Sequence, residues 1–479
     1  MSSTTSSSNL TSGFIDLATF DELEKYMYGG EQAVSYFVRK VRKATWFTVV
    51  PVVLSKSSGI AQFNQQWSAN ISRAGDYLLR SFLRITFPAV QLNTASNRFA
   101  TAGPGGVNAG SLRWTRNLMH SLIKECSITF NDLVEMRFDN YYLDFWSQFS
   151  IPAGKRNGYN NMIGNIDELT NPGATGGAYP VISLPQITLN LPLPLCHARD
   201  TGVALPTAAL PYNEMRINFN FNDWTQLLIL DNTASGVSTN AQLTDIQGSA
   251  PQLQQVDVWA EYAIVSNNER KQMGQAPRDI LIEQVQTVPT IAFNPSSALS
   301  NTDIRLSHAV KALFFAVRNK TNSAEWSNYT AASPVPLPTN GVVFSPDLAA
   351  DPINTASLLY ENTQRLSNMG ADYFALVNPW YNAVSIPLET GYHMYAYTLD
   401  LMSVNPMGST NFGKLTNVSL QLTPSVAAQT SGASTGTLTN PGPLVGSGAG
   451  LAQIFEFVLV AVNHNIIRVA GGALGFPVL

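Results

Sequence analysis

Residues 408–424 read GSTNFGKLTNVSLQLTP and contain the Gly-x-x-x-x-Gly-Lys spacing of loops that wrap nucleotide phosphates. Such a loop needs converging backbone N–H groups, a following helix that points its positive end at the anion, and a Ser or Thr hydroxyl for the metal. Here Leu415 follows Lys414, and Thr416 stands one place too late. Beyond it Val418, Leu420 and Leu422 alternate with Ser419 and Gln421, which is the period of a strand. The stretch therefore predicts a Gly-rich loop entering a β-strand, and it argues against a nucleotide site.

The same period recurs along the chain. In LLRSFLRITFP (78–88), Leu79, Ser81, Leu83, Ile85 and Phe87 share one side and Arg80, Phe82, Arg84 and Thr86 the other, with Pro88 as a stop. CSITFNDLVEMRF (126–138) predicts two strands about a tight Asn131-Asp132 turn, and EMRINFNFN (214–222) alternates through Met215, Ile217, Phe219 and Phe221. Further strands are predicted in VDVWAEYAIV, DILIEQVQTV, HAVKALFFAVRN, GYHMYAYTLDL and IFEFVLVAV, with Asn463-His464-Asn465 turning the last hairpin. Two helices interrupt this grammar. TFDELEKYMYGG (19–30) follows a disordered-looking Ser/Thr leader, with Thr19 and Glu22 at capping-box spacing, Phe20, Leu23 and Met27 on one face, and Gly29-Gly30 as a stop. DNYYLDFWSQF (139–149) puts Tyr142, Phe145, Trp146 and Phe149 at helical spacing, a core-facing stripe.

Many strands joined by loops of unequal length predict sandwiches rather than a propeller, whose blades repeat at a fixed period. The predicted class is all-β, with an N-terminal arm over 1–43, a first sandwich over 44–222, a connection over 223–254 and a second sandwich over 255–479.

Composition narrows the function. Charged residues make up 13% of the 479, about half of the usual ~25%, while Gly (33) and Pro (27) are plentiful. A polar but weakly charged surface suits broad protein–protein contacts, whose cores exclude charge. A net charge of −4 gives a nucleic-acid backbone no electrostatic reason to bind. Two cysteines, Cys126 and Cys196, make no disulfide framework, and the opening MSSTTSSSNLTSG lacks the regions of a signal peptide, so a cytoplasmic origin is expected. The sequons at Asn70, Asn328 and Asn417 then carry little weight, and the run 454–462 is too short to span a bilayer.

Candidate chemistry is sparse. His120, His197, His308, His393 and His464 are scattered without metal-ligand spacing, so no metal, cofactor or catalytic residue is expected. Cys196-His197 with Asp200 suggests a nucleophile and base, but strand neighbours point to opposite faces. Paired carboxylates for glycan hydrolysis leave no trace in sequence. The cluster Arg39, Lys40, Arg42 and Lys43 suits a membrane-surface or nuclear-import patch.

Several stretches, running nearly end to end, resemble the major capsid proteins of iridoviruses, within the double jelly-roll capsid proteins of large icosahedral DNA viruses. They include SSNLTSGFIDLATFDELEKYMYGG, WSANISRAGDYLL, ITFNDLVEMRFDNYYLDFW, RDTGVALPTAALPYNEMRINF, DILIEQVQT, YENTQRL, MGADYF, NPMGSTNFGKLTNVS and GGALGFPVL. Departures fall mainly in loops 94–111 and 423–450. The resemblance implies two consecutive eight-stranded antiparallel jelly rolls and a homotrimer of nearly hexagonal outline tiling an icosahedral virion shell. Neighbouring capsomers, minor capsid proteins at the inner face and an internal membrane are the implied partners, with synthesis and assembly in the host cytoplasm. Loops 319–355 and 423–450 are expected to face outward and the helix near 20–28 inward. Two other classes fit a β-sandwich: a viral or cell-surface carbohydrate-binding adhesin and a sandwich glycosidase.

Overall fold

The computed structural model describes residues 5–172, 180–235, 237–275, 277–321, 324–331, 335–337, 341–343, 350–429 and 453–476. The chain divides into two compact units, Met1–Trp46 and Phe47–Leu479.

In the first unit α1 spans Thr5–Ala18, within the leader expected to be disordered, and α2 spans Glu22–Met27. The capping box of α2 lies two residues beyond the predicted pair. Asp21 caps the helix, and its own N–H donates to Glu24 Oε2 at 3.3 Å. An extended Asp21 presents its carboxylate to the free N–H groups of the first turn, which Thr19 cannot reach. Phe20, Leu23 and Met27 are all exposed.

The second unit is built on two sets of eight strands. In the first set β1 is Phe47–Val53, β2 Gln66–Asn70, β3 Tyr77–Phe87, β4 Ile123–Phe130, β5 Leu133–Phe138, β6 Ile187–Pro192, β7 Met215–Phe221 and β8 Gln255–Val265. They pair as β1-β8-β3-β6 and β2-β7-β4-β5, all antiparallel, with the short strand Lys56–Gly59 added beside β2. In the second set β9 is Arg278–Phe293, β10 Ser300–Asp303, β11 Ala309–Asn319, β12 Ile353–Tyr360, β13 Thr363–Gly370, β14 His393–Ala396, β15 Val418–Pro424 and β16 Phe455–Ala470. These pair as β9-β16-β11-β14 and β10-β15-β12-β13. Each set thus repeats one order, first-eighth-third-sixth over second-seventh-fourth-fifth. That is the jelly roll.

The strands form where alternation lets one face enter a core. β7 alternates buried and half-buried residues without a break, and Ile217 and Phe219 meet Leu83, Ile85, Ile128 and Val258 in the first core. Leu313, Phe315, Leu420, Leu422 and Leu459 occupy the second. Burying each such side chain contributes about 1.5–3 kcal/mol before entropy is charged against it. The Asn131-Asp132 turn is as predicted, with both residues at positive φ (46° and 67°), the twist that joins tight hairpins.

Four expectations are corrected. Gln255–Val265 is the closing strand of the first barrel, not the opening of the second: Val256 and Val258 face Ile85 and Leu83 across the ladder. Alternation gives a strand but not its partner, and β8 reaches back to β3 from the far end of the first half. The connection is the short helix Asn267–Gln275, and the segment 223–254 is folded, its strand Leu228–Asn232 pairing with Gly110–Trp114 and fully buried. In β3 the core residue is Leu78 rather than Leu79, because the ladder slips between Glu261 and Tyr262. Asn463–Asn465 lies inside β16. The hairpin turns instead at Gly471-Gly472, whose φ values of 59° and 83° suit glycine.

Trp67 of β2 stacks on Phe219 at 4.7 Å and meets Phe221 edge-on at 5.7 Å in the first core. Trp67→Ala is expected to lower stability by about 3–5 kcal/mol, read from the midpoint of denaturant unfolding.

Candidate functional site

The loop that imitates a nucleotide site is already filled. Residues 408–416 connect β14 to β15, and Gly408 takes φ 122°, where a Cβ would lie 2.5 Å from the Tyr397 carbonyl oxygen. At its end Thr416 N, Thr416 Oγ1 and Asn417 N donate to Glu361 Oε1 at 2.7, 2.8 and 3.1 Å. A carboxylate from the β12–β13 turn thus takes the N–H groups a phosphate would need, and these bonds, led by the Thr416 hydroxyl, hold its pKa below the usual carboxylate range. Lys414 is exposed.

The predicted Cys–His pair sits on a short 3-10 turn, Cys196–Ala198, not on a strand. Both residues are buried. The Cys196 thiol donates to Glu135 Oε1 at 3.1 Å, and burial pushes its pKa well up, the reverse of an activated nucleophile. Neither His197 ring nitrogen has a partner among the described residues, and burial pulls its pKa down to about 4. His120 sits between Asp144, 2.8 Å from Nδ1, and the Tyr159 hydroxyl, 2.7 Å from Nε2. His393 Nε2 lies 2.7 Å from Asp351 Oδ2. No group of three or more His, Cys, Asp or Glu among the described residues is placed to hold a metal ion.

The structure concentrates its buried polar chemistry along the seam between the barrels. Helix α3, Asn140–Ser150, is capped by Asp139, which accepts from Tyr142 N at 3.0 Å, and carries the predicted aromatic stripe. Phe145 and Phe149 stack on Phe314 of β11 at 6.2 and 5.4 Å, and Phe145 meets Tyr392 edge-on at 5.9 Å. β11 is therefore buried on both faces. Ala312, Phe314 and Ala316 join the first core, while Leu313, Phe315 and Val317 fill the second. In β16, Val458, Val460 and Val462 face the seam, and Phe457, Leu459 and Ala461 the second core. Such two-sided burial explains the continuous apolar runs in sequence.

Charges pinned in this seam each carry partners. Asp144 of α3 accepts from the Ser327 and Tyr329 hydroxyls of the second half, both at 2.9 Å, and faces His120 and the Asn117 amide on its other oxygen. Arg113 bonds Asp231 at 2.7 Å, the Thr170 carbonyl at 3.2 Å and Glu325 of the second half. Burial alone would discourage its charge, but the carboxylates of Asp231 and Glu325 hold it protonated. Arg199, whose guanidinium lies 3.5 Å over the Trp146 ring, pairs with Glu283 at 3.2 Å, and Glu283 takes Lys311 at 2.5 Å. Removing one partner of a buried ion pair typically costs about 3–5 kcal/mol, so these clusters fix how the barrels meet. Sequence reasoning missed them. The one available signal was a charge inside an apolar strand, as Lys311 is within HAVKALFFAVRN.

At the edge of this seam Glu135 is buried, and the Gln284 amide of β9 donates to its backbone carbonyl at 2.6 Å. Burial raises its carboxyl pKa to about 7, against the opposing hydrogen bond from Cys196. A folded-state pKa above the unfolded one means stability fully present below the ordinary carboxyl pKa of ~4.3 and lost as pH rises through 7. Glu135→Gln is expected to match wild type near pH 4.5 and to exceed it by about 3 kcal/mol at pH 8, measured by denaturant unfolding at both pH values.

Comparison with known proteins agrees with this architecture. The model of the large eukaryotic DNA virus major capsid protein matches residues 269–475, and that of the major capsid protein N-terminus matches 35–265. The chain is 58% identical to the major capsid protein of Costelytra zealandica iridescent virus, covering 99% of each, and 43% identical to that of Frog virus 3, covering 100% of each. Among solved structures it resembles the PBCV-1 virus capsid (TM-score 0.70, 19% identity, 93% of this chain and 100% of that one). The Faustovirus major capsid protein has the same fold (TM-score 0.66, 12% identity, 94% of each). With both family models, the iridescent virus relatives and the twin barrels in agreement, the chain belongs to the major capsid proteins of large eukaryotic DNA viruses, as an iridovirus member.

Proposed function

We propose that this chain forms homotrimeric capsomers of nearly hexagonal outline that tile an icosahedral virion shell. The observation that carries this reading is the repeated strand order of the two barrels: three copies about one axis place six like modules in a ring, so a threefold object fits a sixfold lattice position. The barrels also leave few open sheet edges, which protects a protein present at high concentration. Buried free thiols at Cys126 and Cys196 fit synthesis and assembly in the reducing host cytoplasm. Loops 319–355 and 423–450 are the proposed outward surface, although much of both lies outside the described residues. Minor capsid proteins are the proposed neighbours at the inner face, with the segment around α2. In mass photometry with electron microscopy, purified protein is expected to give particles of three 52.0 kDa chains with six-sided outline. Single chains, or small oligomers that bind glycan without a lattice, would overturn the reading.

An internal membrane is a further proposed contact. Arg39, Lys40, Arg42 and Lys43 lie on irregular backbone between exposed Tyr36, Phe37 and Trp46, the pairing of cations with interfacial aromatics that favours anionic lipid. Replacing the four cations by Gln is expected to abolish co-sedimentation with phosphatidylserine vesicles. Unchanged binding would refute the contact.

A further inference from the structure

The two barrels cover equivalent faces unequally. In the second barrel the outer face of β9-β16-β11-β14 is sealed by α3, the helix that follows the fifth strand of the first barrel. In the first barrel the equivalent sheet, β1-β8-β3-β6, turns its outer face to solvent. Phe82 and Trp259, both half-buried, stack there at 6.3 Å with planes 4° apart, and Val53, which pairs with Trp259 across the ladder, is 44% exposed. The strand that follows this pattern at the edge, β1, has no fully buried residue.

The counterpart of α3 is only partly packed, with Phe374 set edge-on against Phe315 at 5.3 Å. After β13, the fifth strand of the second barrel, the chain makes helical turns over Tyr373–Val377 and Asn378–Asn382. They present Leu376 (51%), Trp380 (71%) and Tyr381 (75%) to solvent, with Val384 just beyond. One chain thus carries one covered sheet with its covering helix, one sheet whose outer face meets solvent, and one helical segment that buries Phe374 in its own barrel while Leu376, Trp380 and Tyr381 stay exposed. Exposed aromatic clusters of this kind mark contact surfaces.

Building on the trimer reading above, we propose that the helical segment 373–384 of one copy seats on the outer face of β1-β8-β3-β6 of the next, repeating between chains the contact that α3 makes within each. Such a head-to-tail contact joins unlike faces, and a closed ring of three copies would hold six joints, three within chains and three between them. The partner is a second copy of this chain. Trp380 and Tyr381 play the part that Phe145 and Phe149 play inside, and Phe82 with Trp259 the part of Phe314.

The test uses full-length protein, with Trp380→Asp/Tyr381→Asp on one face and Phe82→Asp on the other. Each is expected to raise the concentration at which trimers dissociate at least tenfold in mass photometry, while thermal unfolding of the barrels stays within a few degrees of wild type. If Phe82→Asp fails to fold, Arg84→Glu on the same exposed face takes its place. Wild-type trimers left intact by both variants overturn the assignment and leave the trimer standing, and loss on one face alone overturns the pairing of the two. A wild-type chain that never trimerises removes both readings.

Discussion

Two-sided burial of the central strands of the second barrel is the constraint on which the rest of this structure depends. A jelly roll needs only one covered face per sheet, yet β11 and β16 hide both, with Phe315 turned into their own barrel and Phe314 into its neighbour. The second barrel cannot leave Ala312, Phe314, Val458 and Val460 in water without exposing a continuous apolar sheet. The first barrel therefore acts as part of its core, through α3, and the two behave as one compact unit despite having separate strand sets.

Apolar contact alone would let the barrels slide, since hydrophobic attraction has no direction. The buried ions supply it. Asp144 has four donors converging on it from both halves, and Arg113 is shared between Asp231 and Glu325. A shift of one residue along the seam would strand these charges in a low-dielectric interior, at a cost far above any gain in packing. Stability comes from the phenylalanines and uniqueness from the carboxylates. Of the histidines and cysteines that drew attention as chemistry, His120 and Cys196 are absorbed into the packing, bonded to Asp144 and Glu135.

Much of the fold was legible because its local rules are simple. Met215 to Phe221 alternate in sequence and in burial alike, the Asn131-Asp132 turn took the backbone its residues favour, and the stripe Tyr142, Phe145, Trp146 and Phe149 is a buried helix. What failed was partnership. Nothing in VDVWAEYAIV states that Val258 sits opposite Leu83 rather than in the next barrel, and nothing near Asp144 states that Ser327 and Tyr329 will reach it. Pairing over such distances is settled by which faces remain to be covered. Turns set by a polar triplet misled for a related reason, as Asn463 is held inside β16 by Gln286 rather than turning the chain.

The late arrival of β8 has a temporal meaning. The strand that completes the first sheet pairs with β1 and β3, which left the ribosome long before it, so that sheet waits half-finished while most of the N-terminal half is translated. Through this interval Leu83 and Ile85 lack their ladder partners Val258 and Val256, and one edge of β3 stays unpaired. Crowded polysomes making this protein in quantity would hold many such open sheets side by side. A holding chaperone during elongation would therefore matter more to yield than any aid given to the finished polypeptide.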